Sequence, residues 1–504
     1  MPELPLVQSA SASEGIIDKA NAELREVLAR VPALAPCILR RILLPALCAT
    51  ACALAAGAHA QQGPATTQGA RVEASTGESG AMSQPESEDR TARFQLTYNW
   101  QKHPGYSAAY SGPHSIISGG EKMYTFTTTA FFGFRPWRGG EFYFNPEVVQ
   151  GVPFSTDLVG LGGFTNGEIT RAAGAMLKVY RQRLFLRQTW NQGGGEERVD
   201  ADLNQLAGSV DKNRVVLTAG NFSTLDVFDR NTYAKDPRTQ FMNWGNWTYA
   251  AYDYAADARG YGWGFAAEWY RNDWVLRAGR MSGPQEPNML PVDLALGRHY
   301  GDQAELEHAH TLGGQPGKVR VLGWRNRARL ASFNDALDWL NAHPGNYSEP
   351  TALYEARNTD KIKYGLGINV EQAIGADAGL FLRAMKADGR TETHAFTEVD
   401  GSLSAGIALK GASWGRAKDT VGLSLMRNTI SEERHRFLAA GGISFFLGDG
   451  ALRYRPEAIF EGYYSLSAGK GVWLTADYQR IQNPAYNADR GPINVYAFRV
   501  HAEF

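Results

Sequence analysis

Cysteine is nearly absent from this 504-residue chain: Cys37, Cys48 and Cys52 are the three it has, all within the first 60 residues. No run of about 18 purely apolar residues occurs, which excludes helices that span a membrane. Neither sign of charge prevails, with 51 basic and 52 acidic residues and a formal net charge of −1, so a general affinity for nucleic acid is not expected. Charged residues reach only 20%, while hydrophobic residues make 43% and aromatic residues 11%, a balance too apolar for a disordered chain. What is abundant is glycine, 55 residues, together with 22 tyrosines, 23 phenylalanines and 12 tryptophans. That leaves a soluble β protein or an outer-membrane barrel.

The cysteines fall in a segment expected to be removed. Arg40 and Arg41 precede an uncharged run from Ile42 to Gly57, closed by Ala58-His59-Ala60 and then Gln61. Charge, length and the small-x-small ending are those of a secretory signal peptide. Neither Cys48 nor Cys52 has a leucine three residues before it, so a lipoprotein signal is not indicated. The exported chain would then hold no cysteine and no disulfide. The stretch before Arg40 has helix-spaced Ile16, Ile17, Ala20, Leu24, Val27 and Leu28, and reads as an extension from a start codon set too far upstream. Residues 1–60 are thus extension plus signal, 61–92 a Gly-, Ser-, Thr-, Gln- and Glu-rich flexible linker, and 93–504 one uniform domain.

That domain has a period of two. Phe94, Leu96, Tyr98 and Trp100 alternate with polar residues, as do Ile362, Tyr364, Leu366, Ile368 and Val370. Tyr261, Trp263, Phe265, Ala267 and Trp269 form a third stripe, and Leu403, Ala405, Ile407 and Leu409 a fourth. Each predicts a strand with one apolar face, near the length a tilted transmembrane strand needs. Gly448-Asp449-Gly450 and Pro316-Gly317 are read as turns between such runs. Tyrosine and tryptophan crowd the stripe ends, which in a bilayer builds aromatic girdles. Arg, Lys and Glu on the other faces need water. The fold expected is all-β, a closed transmembrane antiparallel barrel. The final strand puts Tyr496, Phe498, Val500, Ala502 and Phe504 on one face, the kind of ending that the outer-membrane barrel assembly machinery reads.

Several long blocks resemble one family. They are FDRNTYAKDPRTQFMNW from Phe228, YDYAADARGYGWGFAAEW from Tyr252, GQPGKVRVLGWRNRARLASFNDAL from Gly314, LSAGIALKGASWGRAKDTVGL from Leu403 and LTADYQRIQNPAYNADRGPINVYAFRVHAEF from Leu474. Together, in that order, they are similar to the carbohydrate-selective porins of Gram-negative outer membranes, the OprB family. The resemblance implies a barrel of about 16 strands that passes small carbohydrates such as monosaccharides by facilitated diffusion, and implies no cofactor. It leaves self-association of barrels open. A general or ion-leaning porin without sugar preference is the alternative reading.

Sugar selection asks for polar groups that exchange hydrogen bonds with hydroxyls, and for aromatic faces, with binding weak enough to release the solute. The densest supply is Asp226, Asp229, Arg230, Asn231, Tyr233, Asp236, Arg238, Asn243, Trp244 and Trp247, a Pro-containing block without clean alternation. It suits a loop folded toward the lumen, or an outer loop stitched by its own ion pairs. A second set lies on polar strand faces: Arg183 with Arg187, Lys361 with Lys363, and Glu305 with Glu307. Basic rungs facing acidic rungs would set a field across the pore. Trp190, Trp263 and Trp274 are read as girdle residues rather than sugar platforms.

Enzyme and metal signatures are weak. Gly411-Ala412-Ser413-Trp414-Gly415 matches the Gly-x-Ser-x-Gly elbow, but a lipase-like role for Ser413 needs a helix next, and another alternating run follows. His308 and His310 share a face without a third ligand at suitable spacing, and read as polar wall rather than metal site.

Overall fold

A computed structural model of the chain describes residues 87–155, 158–169 and 174–504. The extension, signal peptide and most of the linker expected from the sequence lie outside the described residues.

The chain forms a barrel in which every strand is antiparallel to its neighbours. Its wall begins with β1 (Arg90–His103), β2 (Glu121–Phe134), β3 (Gly140–Val152) and β4 (Gly174–Asn191). A small separate hairpin follows, β5 (Glu196–Val199) with β6 (Gly208–Asp211). The wall resumes with β7 (Arg214–Phe222), β8 (Gly262–Arg271), β9 (Trp274–Met281), β10 (Tyr300–Leu312), β11 (Gln315–Arg329) and β12 (Asp360–Ile374). It ends with β13 (Ala378–Ala387), β14 (Gly401–Gly411), β15 (Arg416–Thr429), β16 (Glu457–Gly469), β17 (Val472–Gln482) and β18 (Ile493–Glu503). Sixteen strands close the sheet.

Closure is made by β1 against β18, with Trp100 opposite Phe498 and Tyr98 opposite Val500. Phe94 and Phe504 exchange both backbone hydrogen bonds, at 3.0 and 2.8 Å. In lipid each backbone donor and acceptor needs an internal partner, so a sheet can cross only when its edges meet.

The alternation in the sequence becomes outside and inside. On β12, Ile362, Tyr364, Leu366 and Ile368 point outward and are exposed, while Lys363, Asn369 and Glu371 point inward and are buried. Aromatic residues cluster at both ends of the outer face. Trp190, Trp269 and Trp274 stand at one end, and Tyr98, Trp100, Tyr124 and Tyr496 at the other. Trp190 and Trp274 are therefore girdle residues, as is outward-facing Trp263. His308 and His310 do not line the lumen: Glu305 and Glu307 hold the inward positions of β10, which leaves both histidines outside. The Trp274 ring lies 4.2 Å from that of His308.

Connections at the two ends differ. At one end, residues 272–273, 313–314 and 470–471 are two-residue turns. The β10–β11 turn is Gly313-Gly314, at φ +59° and +79°, not Pro316-Gly317. A two-residue hairpin turn needs positive φ, which glycine adopts freely, whereas proline is fixed at negative φ. Pro316 instead sits in β11 opposite Thr311. Gly448-Asp449-Gly450 lies inside a long connection, where Asp449 accepts from Asn487 at 3.0 Å and from Ser115. Apart from the β4–β7 connection, residues 192–213, which carries the β5–β6 hairpin at the short-turn end, the long connections leave from the opposite end, which makes that end extracellular by the usual pattern of outer-membrane barrels. There α2 (Phe333–Ala342), α3 (Thr351–Ala356) and α4 (Glu432–Ala439) follow α1 (Trp244–Trp247) in the chain. The three pack Phe333, Leu353 and Phe437 with Leu447 and Tyr486 into an outer apolar cluster. Glu457 fastens this cap, accepting from the amides of Gly162, Gly163 and Ala485.

Candidate functional site

The connection between β7 and β8, residues 223–261, turns into the lumen. Local chemistry starts it: Ser223 and Asp226 form a reciprocal capping box around a single helical turn, Thr224–Asp226. Further on, the Asn243 side chain accepts from Gly245 and caps α1. Phe228, Phe241, Met242, Tyr249 and Tyr252 are buried, so the segment carries its own apolar core into the barrel.

One flank of the segment is locked to the wall. Asp229 pairs with Arg383 at 2.9 Å, both side chains at most 1% exposed, and accepts from Asn369 at 2.6 Å. Asn231 donates to Asn369 at 2.8 Å. The Asp229 amide donates to Glu305 at 2.8 Å and the Thr232 amide to Glu371 at 2.7 Å. Asn243 donates to Gln479 at 2.9 Å, and Trp244 is buried against Trp247, Tyr254 and Phe396. Farther along, Asp253 meets Lys363 at 2.9 Å with neither exposed. Glu305 and Glu307 are met laterally, by Arg277 at 2.9 and 3.0 Å and, for Glu307, by Arg320 at 2.6 Å. Their charge is balanced within one wall rather than across the lumen. Lys361 reaches Asp335 of α2 at 3.3 Å in the outer cap.

The other flank faces water. Arg183 on β4 holds Asp226 through two bonds of 2.7 Å, with 15% and 25% of the side chains exposed. The Arg183 guanidinium lies 5.1 Å from the Tyr261 ring centre, and Tyr261 stands 6.3 Å from Tyr180. Arg259 covers Tyr180 at 4.2 Å. Arg238 bridges Glu147 at 3.0 Å and Glu168 at shorter range. Arg230 is exposed and donates to the Asp226 carbonyl at 2.9 Å, while Asp236 is half-buried and caps the Arg238 amide at 2.9 Å. Toward the short-turn end, Arg187 faces Glu141 at 3.5 Å and donates to the Asn204 carbonyl at 3.0 Å, beneath the β5–β6 hairpin.

Enclosure acts on the charges of the inward segment. Burial raises the Asp226 carboxyl, but the Arg183 guanidinium outweighs it and holds the group below the usual carboxylate range. Burial pushes the Lys235 ammonium down to about 8, against the opposing pull of Asp229.

The inner positions thus include every strand residue the sequence proposed: Arg183, Arg187, Glu305, Glu307, Lys361 and Lys363. Arg183, Arg187, Asp226, Arg230, Asp236 and Arg238 gather on the watered flank. Asp229, Asn231, Asn243, Trp244, Glu305, Glu307 and Lys363 hold the segment in place, and Trp247 is half-buried beside them. Tyr180, Tyr261, Glu147, Glu168 and Lys235 were missed. Tyr261 looks like the first member of the β8 outer stripe, yet it precedes the strand and turns inward. Ser413 lies in a three-residue turn, Ala412–Trp414, that leads directly into β15, so the strand–turn–helix setting of a nucleophile elbow is not there.

The family model for carbohydrate-selective porins matches residues 133–504. The chain belongs to the carbohydrate-selective porin, OprB family. It is an outer-membrane porin for small carbohydrates of a Gram-negative bacterium. Among solved structures, this porin is similar to Pseudomonas putida OprB, with a TM-score of 0.58 and 15% identity over 82% of this chain and 94% of that one. It also matches a loop-deleted OmpT of Vibrio cholerae, at TM-score 0.42 and 12% identity over 83% and 100% of the two chains. The DcaP channel of Acinetobacter baumannii gives 0.43 and 8% over 82% and 97%. No curated protein matches the chain. The porin family and the barrel are those of a channel.

Proposed function

We propose that sugar crosses this porin along the watered flank of the lumen, between β4 and the inward segment, over the Tyr180–Tyr261 faces and past Arg183, Asp226, Arg230 and Arg238. The observation that carries this reading is the contrast in exposure. Asp229 and Arg383 are shut away at 0% and 1%, while Arg183 and Asp226 keep 15% and 25% of their side chains in contact with solvent. Donors and acceptors stand fixed beside flat rings, matching the two faces of a pyranose. Each group is already paired, so a hydroxyl exchanges hydrogen bonds rather than gaining new ones, and binding stays weak enough for release.

Arg187 and Glu141 form the next polar station toward the periplasmic mouth. Monosaccharides are the solutes proposed for this passage. Liposome swelling with glucose, an amino acid and a salt of matched size tests the reading. Faster glucose entry that Tyr261→Ala slows supports it; equal entry of all three solutes, unchanged by the substitution, defeats it. A general or ion-leaning channel is favoured by the density of arginine on the flank. It predicts a conductance that glucose does not block in a saturable way.

A further inference from the structure

The outer face of the barrel has unequal ends. At the periplasmic end the outward residues include apolar Phe132, Phe134, Trp190, Trp274 and Leu312, beside the basic Arg90 and Arg271. At the extracellular end, just above the aromatic girdle, basic residues outnumber the acidic Asp302 and Asp360. Lys102 and Lys122 stand directly opposite each other on β1 and β2, both exposed. The other neighbour of Lys102 is Tyr496, so among the described residues neither strand beside Lys102 sets a carboxylate opposite it. Like charges directly opposite in a sheet repel, and the arrangement calls for an anion from outside the chain.

A second cluster is more fully built. Asp302 on β10 receives Arg280 from β9 through bonds of 2.7 and 3.0 Å, and Arg325 from β11 through bonds of 3.1 and 3.0 Å. Arg280 also lies 3.8 Å from the Tyr300 ring centre. One carboxylate and one ring thus hold two guanidinium groups side by side, and 31% and 53% of those side chains remain exposed. Arg327 stands outward on the next rung, paired with Asp360 at 3.3 Å, and Lys386, Arg427 and Arg480 point outward near the same ends of β13, β15 and β17.

We propose that this belt binds phosphate-bearing glycolipid headgroups of the outer leaflet, with the Lys102–Lys122 pair and the Arg280–Arg325 pair each seating a phosphate. Arginine side by side with arginine presents parallel N–H donors, which suit the oxygens of a phosphate. Long basic side chains reach from the barrel wall to the headgroup plane. The two cation pairs stand at the extracellular end, on the side of the outer leaflet in which phosphate-bearing glycolipid lies. The match of sidedness favours this lipid over the phospholipids of the inner leaflet.

The experiment uses the full barrel purified in detergent, with bis-phosphorylated lipid A as probe, the same lipid dephosphorylated as control, and phosphatidylglycerol as a second anionic lipid. Native mass spectrometry or a fluorescent-lipid titration reads the bound fraction. The wild-type barrel is expected to prefer bis-phosphorylated lipid A by about tenfold over both controls. The variant K102Q/K122Q/R280Q/R325Q is expected to lose that preference while glucose entry in liposomes is unchanged. The milder K102Q/K122Q removes only a repulsive pair, keeps the fold, and is expected to lose a measurable part of the preference. R271Q, at the periplasmic end, is expected to bind as wild type. Equal binding of phosphorylated and dephosphorylated lipid, equal binding of phosphatidylglycerol, or full retention by both variants would overturn the proposal.

Discussion

Arg183 on β4 grips Asp226 on the inward segment through two bonds of 2.7 Å. The pair ties the root of the segment to the wall at the point where the lumen stays open. Because Asp226 also completes the capping box with Ser223, it fixes both the local turn and the position of the turn in the barrel.

Asp226→Asn is expected to free the root of the segment. The pair is neither fully exposed nor fully buried, so the loss in stability should be about 1–2 kcal/mol. Planar-bilayer recording should show a larger and noisier single-channel conductance, and weaker block by glucose. An unchanged conductance would mean that the deeper anchors alone set the bore.

Arg238→Gln should cost more. Glu147 and Glu168 are only 3% and 2% exposed, and the substitution leaves both without their cation. A penalty of about 3–5 kcal/mol is expected for an unpaired buried charge. The temperature at which the barrel loses its folded mobility on a detergent gel measures this. Pairing the change with Glu147→Gln should recover part of the loss.

Lys235 gives the channel a pH dependence. Its folded value, about 8, lies below the ordinary 10.5, so the folded chain releases this proton first as pH rises. Between those values the unfolded chain binds more protons, and this group's contribution to stability rises with pH. The lumen loses one positive charge over the same window. Reversal potentials in a salt gradient should shift toward cations between pH 7 and pH 9, and Lys235→Gln should remove the shift.

Gly314→Val should strain the β10–β11 turn, where φ is +79°. The left-handed region costs a residue with a Cβ about 1–2 kcal/mol. The folded band on a detergent gel should melt at lower temperature, with glucose entry unaltered in barrels that fold.

The barrel was legible because two faces in two solvents force a strict alternation, as from Ile362 to Val370 or Tyr496 to Phe504, and the aromatic stripe ends set it apart from a soluble sandwich. The same parity puts Arg183 and Glu305 on the inner face of β4 and β10. Parity fails at strand ends, where Tyr261 keeps the rhythm of β8 but belongs to the inward segment. It also misassigned His308 and His310 as wall, since a histidine at the lipid interface resembles one in water. The block from Asp226 to Trp247 was visible as a polar loop. Which of its members face solvent depended on partners more than 100 residues away, such as Arg383 for Asp229. No local pattern encodes that separation.

The backbone exchange between Phe94 and Phe504 sets a timetable for biogenesis. Until the eighteenth strand arrives, the first has nothing to seal against, and two open edges remain free to join other chains. A polypeptide delivered from its amino end must therefore be shielded through most of its export, because its two sheet edges find each other only when the last strand arrives.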